Sequence, residues 1–416
     1  MLRKISGIKG CNLFDPISKK ILDKVDILIE GDIISKVSQD SIPFSNSDKV
    51  INAEGCTVIP GLMNLHSHPQ RRHARKMSSS TPYRFGAAAV EDLPNTQRIL
   101  LAVRNVLVEF IEEGVTTMRA AGSKDYLNIE LRNVFNDGLF KGPRIISTGP
   151  IISQTGGHCT RGINGATEAD GADEVLKTVR AAFKAGADWI KICVTGGHAG
   201  IHKGDDPRIP EFTEEEIQAA VEEAHTRGRR VMVHGCAAEG VKNAVKAGVD
   251  CIEHGTLLDD EAINMMVEAG TFLVPTLSGI RNVYERELAA GNKKIADLLW
   301  TVISPHEKTI SKCIEAGILI GTGSDTLGDI YQEIEMLIKC GMTSSEALAA
   351  ATINSAKILN LENEIGSVEE GKKADILILE GNPIDDIAAL RKIREVIKGG
   401  EVFNSELLNI FDRTYI

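Results

Sequence analysis

Aromatic side chains are scarce in this 416-residue chain, at 4% with 2 Trp. The core must therefore rest on Val, Ile, Leu and Ala, which suit a parallel sheet buried on both faces. Positive charge is also in deficit. There are 47 Lys and Arg against 58 Asp and Glu, a formal net charge of −11. That balance argues against nucleic acid and anionic membranes as partners. No apolar run is long enough to span a bilayer. Met1-Leu2-Arg3-Lys4 leads straight into alternating residues without a signal-peptide core, so a cytoplasmic location is expected. The cysteines, Cys11, Cys56, Cys159, Cys193, Cys236, Cys251, Cys313 and Cys340, are scattered and form no CxxC pair. This speaks against a zinc finger or a disulfide scaffold. Free cysteines of this kind read as small apolar filler within strands.

What is present is an alternation of strand and helix patterns. Candidate parallel strands lie at 57–66, 115–119, 144–149, 188–194, 230–234, 250–254, 271–275 and 318–325. Helix-period segments separate most of them, as at 172–185, 213–227 and 259–269, and Thr213 followed by Glu216 is a capping box. Repeated strand–helix units imply right-handed crossovers, and eight of them imply an α/β fold of the (β/α)₈, TIM-barrel type. The two chain ends read differently. "KVDILIEGDIISKV" alternates around Gly31-Asp32 as a hairpin, and "KKADILILEGNP" and "IREVIKGGEVF" are strands broken by Gly and Pro. A small β-sandwich domain built from residues 1–56 and 360–416 is therefore expected beside a barrel at 57–359.

Barrel chemistry sits at the C-terminal ends of the strands. The first strand ends in His66 and His68, two residues apart and so on one side of an extended chain. They are either a metal site or two unrelated loop histidines. Lys191 interrupts an apolar strand, where a lysine is costly unless paired or modified. It is either a rim lysine snorkelling to water or a carboxylated lysine, whose carbamate can bridge two cations. His234, His254 and Asp325 end three further strands. Singly, each histidine could be a satisfied rim residue and Asp325 a helix cap. Together they form a donor set suited to divalent zinc, manganese or iron. Two cations held this way lower the pKa of a shared water and polarise an attacked carbonyl. Asp325 can then move the proton to the leaving nitrogen.

With those residues in view, the chain resembles the amidohydrolase superfamily. "PGLMNLHSH", "GVTTMRAAG", "GPRIISTGPIISQTGGH", "GADWIKI", "VMVHG", "CIEHG" and "GSD" follow in that family's order. "GMTSSEALAAATINSAKILNLENEIGSVEEGKKADILILEGNP" is similar to its C-terminal signature. The resemblance implies two divalent metal ions, zinc first among them. His66 and His68 would ligate the more buried ion, and His234 and His254 the second. Lys191 would bridge as a CO₂-derived carbamate, and Asp325 would be the last ligand and proton shuttle. "ISQTGGH" and "GADWIKI" most resemble the branch of prolidase-like dipeptidases, Xaa-Arg/Lys carboxypeptidases and N-acyl-amino-acid amidases, which is related to imidazolonepropionase. In that branch the TGGH histidine, here His158, helps polarise the scissile carbonyl. The expected activity is a cytoplasmic metallopeptidase of the dipeptidase type. It would hydrolyse an amide bond beside a carboxylate by a metal-bridging hydroxide, with a small-molecule partner and a homo-oligomeric state.

The pattern also has departures. The family's Arg-Asp pair is Arg119-Ala120 here, and Cys236 stands where dipeptidases of the branch often carry a tyrosine. Arg71, Arg72, Arg75 and Lys76 cluster after the first strand. They are either a carboxylate-recognition loop or a solvated charge run. Asp205 and Asp206 before Pro207 read as turn formers. Two other activities compete. Deamination or ring opening of a small heterocycle would usually do without the strand-four lysine, which does not exclude opening of a cyclic amide. A non-catalytic scaffold would lack ligand positions, and all six are present.

Overall fold

The computed structural model describes residues 3–45, 48–71, 93–160, 165–198 and 200–408. Strands β1 (Arg3–Lys4), β2 (Gly7–Asp15), β3 (Lys20–Glu30), β4 (Ile33–Ser38), β5 (Val50–Asn52) and β6 (Cys56–Pro60) open the chain. Strands β7 (Leu62–Ser67), β8 (Val115–Ala120), β9 (Arg144–Ser147), β10 (Ile151–Ser153), β11 (Ala166–Glu168) and β12 (Trp189–Cys193) follow. Then come β13 (Arg230–Ala237), β14 (Cys251–Leu257) and β15 (Phe272–Val274). Strands β16 (Ile376–Glu380), β17 (Ile393–Lys398) and β18 (Glu401–Phe403) end it.

Both chain ends enter one nine-stranded sheet, ordered β1-β18-β17-β16-β6-β2-β3-β4 with β5 beside β2. The β3–β4 turn falls at Gly31-Asp32, where Gly31 takes a φ of 69° that a β-carbon would oppose. β16 is buried on both faces. Ile376 and Ile378 join a core with Ile8, Cys11, Val25 and Ile27, while Leu377 and Leu379 join the core of the middle segment. The period of two thus sends alternate side chains into two different cores.

The middle segment carries two parallel ladders, β7-β8-β9 and β11-β10-β12-β13-β14-β15. Asp188 N donates to Ser147 O at 2.7 Å, which links the start of β12 to β9. Every residue of β7, β8 and β12 is buried, as expected where helices cover one face and a filled interior the other. The helix Gly171–Ala185 buries Val175, Val179 and Ala182 along one stripe. The capping box of Thr213 and Glu216 opens the helix Glu214–Thr226, and Asp259 caps the helix Asp260–Ala269 by accepting from Ala262 N. No helix of the described residues is long and apolar enough to cross a membrane.

Two expected strands differ. The segment 57–66 is two strands, β6 in the terminal sheet and β7 in the parallel ladder. The break is at Gly61, where a β-carbon would run into the Thr116 side chain, so the chain turns where only glycine fits. The segment 318–325 forms isolated bridges, Leu273↔Ile320 and Ser67↔Asp325, instead of a ladder strand. It still lies between β15 and β7. Gly321 N donates to Leu273 O at 3.0 Å, and Leu65 N donates to Thr322 O at 2.8 Å. Gly323 explains the irregular pairing, because a β-carbon there would meet Val274 and His66.

Candidate functional site

The C-terminal ends of the parallel strands converge on one cleft of about 810 Å³. His66, His68, Lys191, His234, His254, Asp325 and His158 all line it, as does Arg71. Ligand atoms of His66, His68 and Asp325 lie within 4.8 Å of one another. His234 and His254 share the cleft with Lys191 but are not part of that tight cluster. Arg72, Arg75 and Lys76 lie outside the described residues.

Neighbours choose which nitrogen each imidazole offers. His66 Nδ1 lies 2.6 Å from Glu253 Oε2, His68 Nδ1 lies 3.2 Å from Gly122 O, and His254 Nδ1 lies 2.6 Å from Thr276 Oγ1. All three leave Nε2 for the cleft, the arrangement that fixes tautomers in metal sites. His234 is turned the other way, with Nε2 3.0 Å from Gly196 O and 3.3 Å from Cys236 Sγ. The rings of His66, His68, His234 and His254 form a chain of contacts with centroids 4.5 to 5.2 Å apart. Burial and the cationic groups around them hold all four well on the neutral side of imidazole's usual range. Neutral imidazole is the ligating form.

Lys191 is not a rim lysine. It is 2% exposed, and its Nζ has no hydrogen-bond partner among the described residues. Burial pushes its pKa down, against the pull of Glu253. Asp325 is not a helix cap, because Asp329 caps the following helix. The Asp325 carboxylate accepts from Thr326 N at 2.6 Å and lies 3.8 Å from His68 Nε2. Burial opposes its ionisation, yet His66, His68 and Thr326 bring its pKa down to about 2. Four residues at this end have left-handed backbone: Cys159 (φ 63°), His254 (φ 75°), Thr276 (φ 52°) and Asp325 (φ 53°).

Three residues that shape the site were not picked out in sequence. Glu253 is fully buried and joins His66 to Arg119, whose Nη2 donates to Oε1 at 2.7 Å. Arg119 also donates to Leu65 O and lies over the Trp189 ring. Glu253 therefore supplies the orienting carboxylate that Ala120 cannot. Its signal was a charged residue inside the apolar run "CIEHG". The left-handed turn at His254 lets adjacent residues both serve the site, against strand alternation. Asp205, expected as a turn former, is buried and sits 2.9 Å from His158 Nδ1. Asp206 does form the turn, accepting from Arg208. Glu211 accepts from His158 N with both oxygens.

The His158 ring stacks on His234, centroids 4.0 Å apart and 20° from parallel. Burial works against its charge, but Cys159 and Asp205 outweigh it and raise its pKa well above the usual value. Cys236 Sγ lies 3.3 Å from His234 Nε2 and 3.7 Å from His198 Nδ1.

A family model described as "Amidohydrolase family" matches residues 57–403. Ochratoxinase of Aspergillus niger is 31% identical over 328 residues, 71% of this chain and 66% of that protein. The chain thus spans just under two thirds of that relative's length. Among solved structures, a Xaa-Pro dipeptidase with methionine bound in its active site superposes with a TM-score of 0.84 at 33% identity, over 96% of this chain and 99% of that one. A prolidase complexed with N-methylphosphonate-L-proline gives 0.84 at 28% identity, with the same coverage.

Proposed function

We propose that this chain, which belongs to the amidohydrolase family, hydrolyses the amide bond of a dipeptide or N-acyl amino acid bearing a free carboxylate. The fold is read as a (β/α)₈ barrel at 57–359 with a β-sandwich domain formed by 1–56 and 360–416. The observation that carries the activity is the convergence of His66, His68, His234, His254 and Asp325 around Lys191, whose buried amine has no partner among the described residues.

The donor set fits two divalent cations, with zinc favoured by imidazole and carboxylate ligands. His66 and His68 would hold one and His234 and His254 the other, once His234 turns Nε2 or offers Nδ1. Lys191 fits a bridging carbamate. Burial favours its free-base amine, which adds CO₂ and releases a proton. The product replaces an orphaned donor with a carboxylate that can be satisfied. When bound, the cations lower the pKa of an attacking water and polarise the scissile carbonyl.

The remaining steps belong to side chains of this chain. Asp325, ionised at neutral pH, takes the proton from the attacking water and delivers it to the departing amine nitrogen. His158 holds the carbonyl oxygen as it gains charge. Arg71, buried at the cleft wall, is the arginine placed to attract the substrate carboxylate.

Elemental analysis of protein prepared with zinc and bicarbonate, paired with a screen of dipeptides and N-acetyl amino acids for amine release, tests the reading. Two ions per chain with release from carboxylate-bearing substrates supports it. Protein that stays metal-free under those conditions overturns it.

A further inference from the structure

We propose that Asp205 is a positioning residue for His158, and that the Gly196–Gly200 loop exists to hold the pair in place. This rests on the reading above, in which His158 faces the substrate carbonyl.

Asp205 is 5% exposed, and its two oxygens have different tasks. Oδ1 accepts from Gly197 N at 2.6 Å, while Oδ2 lies 2.9 Å from His158 Nδ1. The first bond fixes the carboxylate to the loop after β12. The second fixes the imidazole to the carboxylate. With Nδ1 engaged, Nε2 is the nitrogen left for the cleft. A carboxylate facing one ring nitrogen sets the orientation and tautomer of the other.

The surrounding backbone is shaped to this pair. A β-carbon on Gly197 would strike the His158 ring, and one on Gly200 would strike the Asp205 carboxylate. One on Gly196 would meet the carbonyl of Asp206. Three glycines within five residues therefore let the loop close over one ion pair. From the opposite side Glu211 grips His158 N, and the His234 ring covers the imidazole face. A loop histidine with no task would not need a buried carboxylate on its ring, a second carboxylate on its backbone and a glycine against the ring.

The test is a double-mutant cycle with a spectroscopic arm. In Asp205→Asn the side chain keeps its shape but presents an oxygen to only one of its two partners. Expected is a fall of about 10–100-fold in kcat, with KM and zinc content near wild type, for a dipeptide probe such as Met-Pro. In a His158→Asn background the same change should cost nothing further. Separately from turnover, the low-field imidazole N–H proton resonance that vanishes in His158→Asn should shift or vanish in Asp205→Asn. If Asp205→Asn fails to fold, Gly197→Ala keeps the Asp205 carboxylate in the chain while displacing the His158 ring, and carries the same expectations. An unmoved resonance, or losses that multiply in the double variant, would overturn the positioning role. Wild-type protein that releases no amine while the resonance still depends on Asp205 would instead count against the proposed activity alone.

Discussion

Replacing Glu253 by Gln should both weaken the fold and loosen the site. Glu253 is fully buried between Arg119 and His66. At the 2.7 Å separation of the Arg119 pair, unit charges in a medium of effective dielectric ~20 attract by about 6 kcal/mol. Desolvation of the two ions offsets much of that. Removing one partner is nevertheless severe, because it strands a fully buried guanidinium, and the expected loss is about 3–5 kcal/mol. Among the described residues the stranded group keeps Leu65 O, Cys251 Sγ and the Trp189 face. His66 meanwhile loses the carboxylate that turns its Nε2 to the cleft, which should cost about 10–100-fold in metal affinity. Denaturant unfolding of metal-free protein gives the first quantity, and competition for zinc against a chelator gives the second. The double variant Arg119→Met, Glu253→Gln should recover part of the stability but none of the zinc affinity. A loss below about 1 kcal/mol, ordinary for a point change, with unaltered zinc affinity would refute the argument.

Two further outcomes are expected. Lys191→Ala should bind fewer metal ions and lose most turnover. A variant that kept both ions and the wild-type rate would sink the bridging role. Asp325→Asn should retain metal while kcat falls by about 10²–10⁴-fold, the usual worth of a positioned proton carrier. A near-normal kcat would take Asp325 out of proton transfer.

Much of the strand–helix order, and the gathering of His66, His68, Lys191, His234, His254 and Asp325 at one cleft, could be read from sequence because each depends on short-range pattern. His66 and His68 share a side of β7 by the period of two, and Thr213 with Glu216 starts a helix by local hydrogen bonding. Glu253 and Asp205 could not be read in the same way. Their partners lie 187 and 47 residues away in the chain, and no spacing rule connects them. The left-handed turn at His254 also defeats the alternation that would have pointed Glu253 away from the site. Gly61 shows a third kind of miss. A continuous apolar run reads as one strand, while the contact that splits it comes from Thr116 on another strand. The orientation of His234 is likewise set by Gly196, a residue of the neighbouring loop.

The left-handed backbone of Cys159, His254, Thr276 and Asp325 bears on how this protein can be engineered. Side-chain-bearing residues held in that conformation each cost on the order of 1–3 kcal/mol. All four lie at or beside the candidate cleft, while Lys19, Lys24, Asp125, Tyr126 and Asn360 share that conformation away from its lining. A heat-selected library should therefore find glycine replacements and loop relaxations at these positions among its winners. Those winners should be inactive, because the same twist aims His254 and Asp325. Stabilising changes compatible with activity should come from positions away from the cleft, including the left-handed Lys19 and Lys24 at and within β3 of the terminal sheet. Durability and turnover are thus adjustable through different regions of one chain.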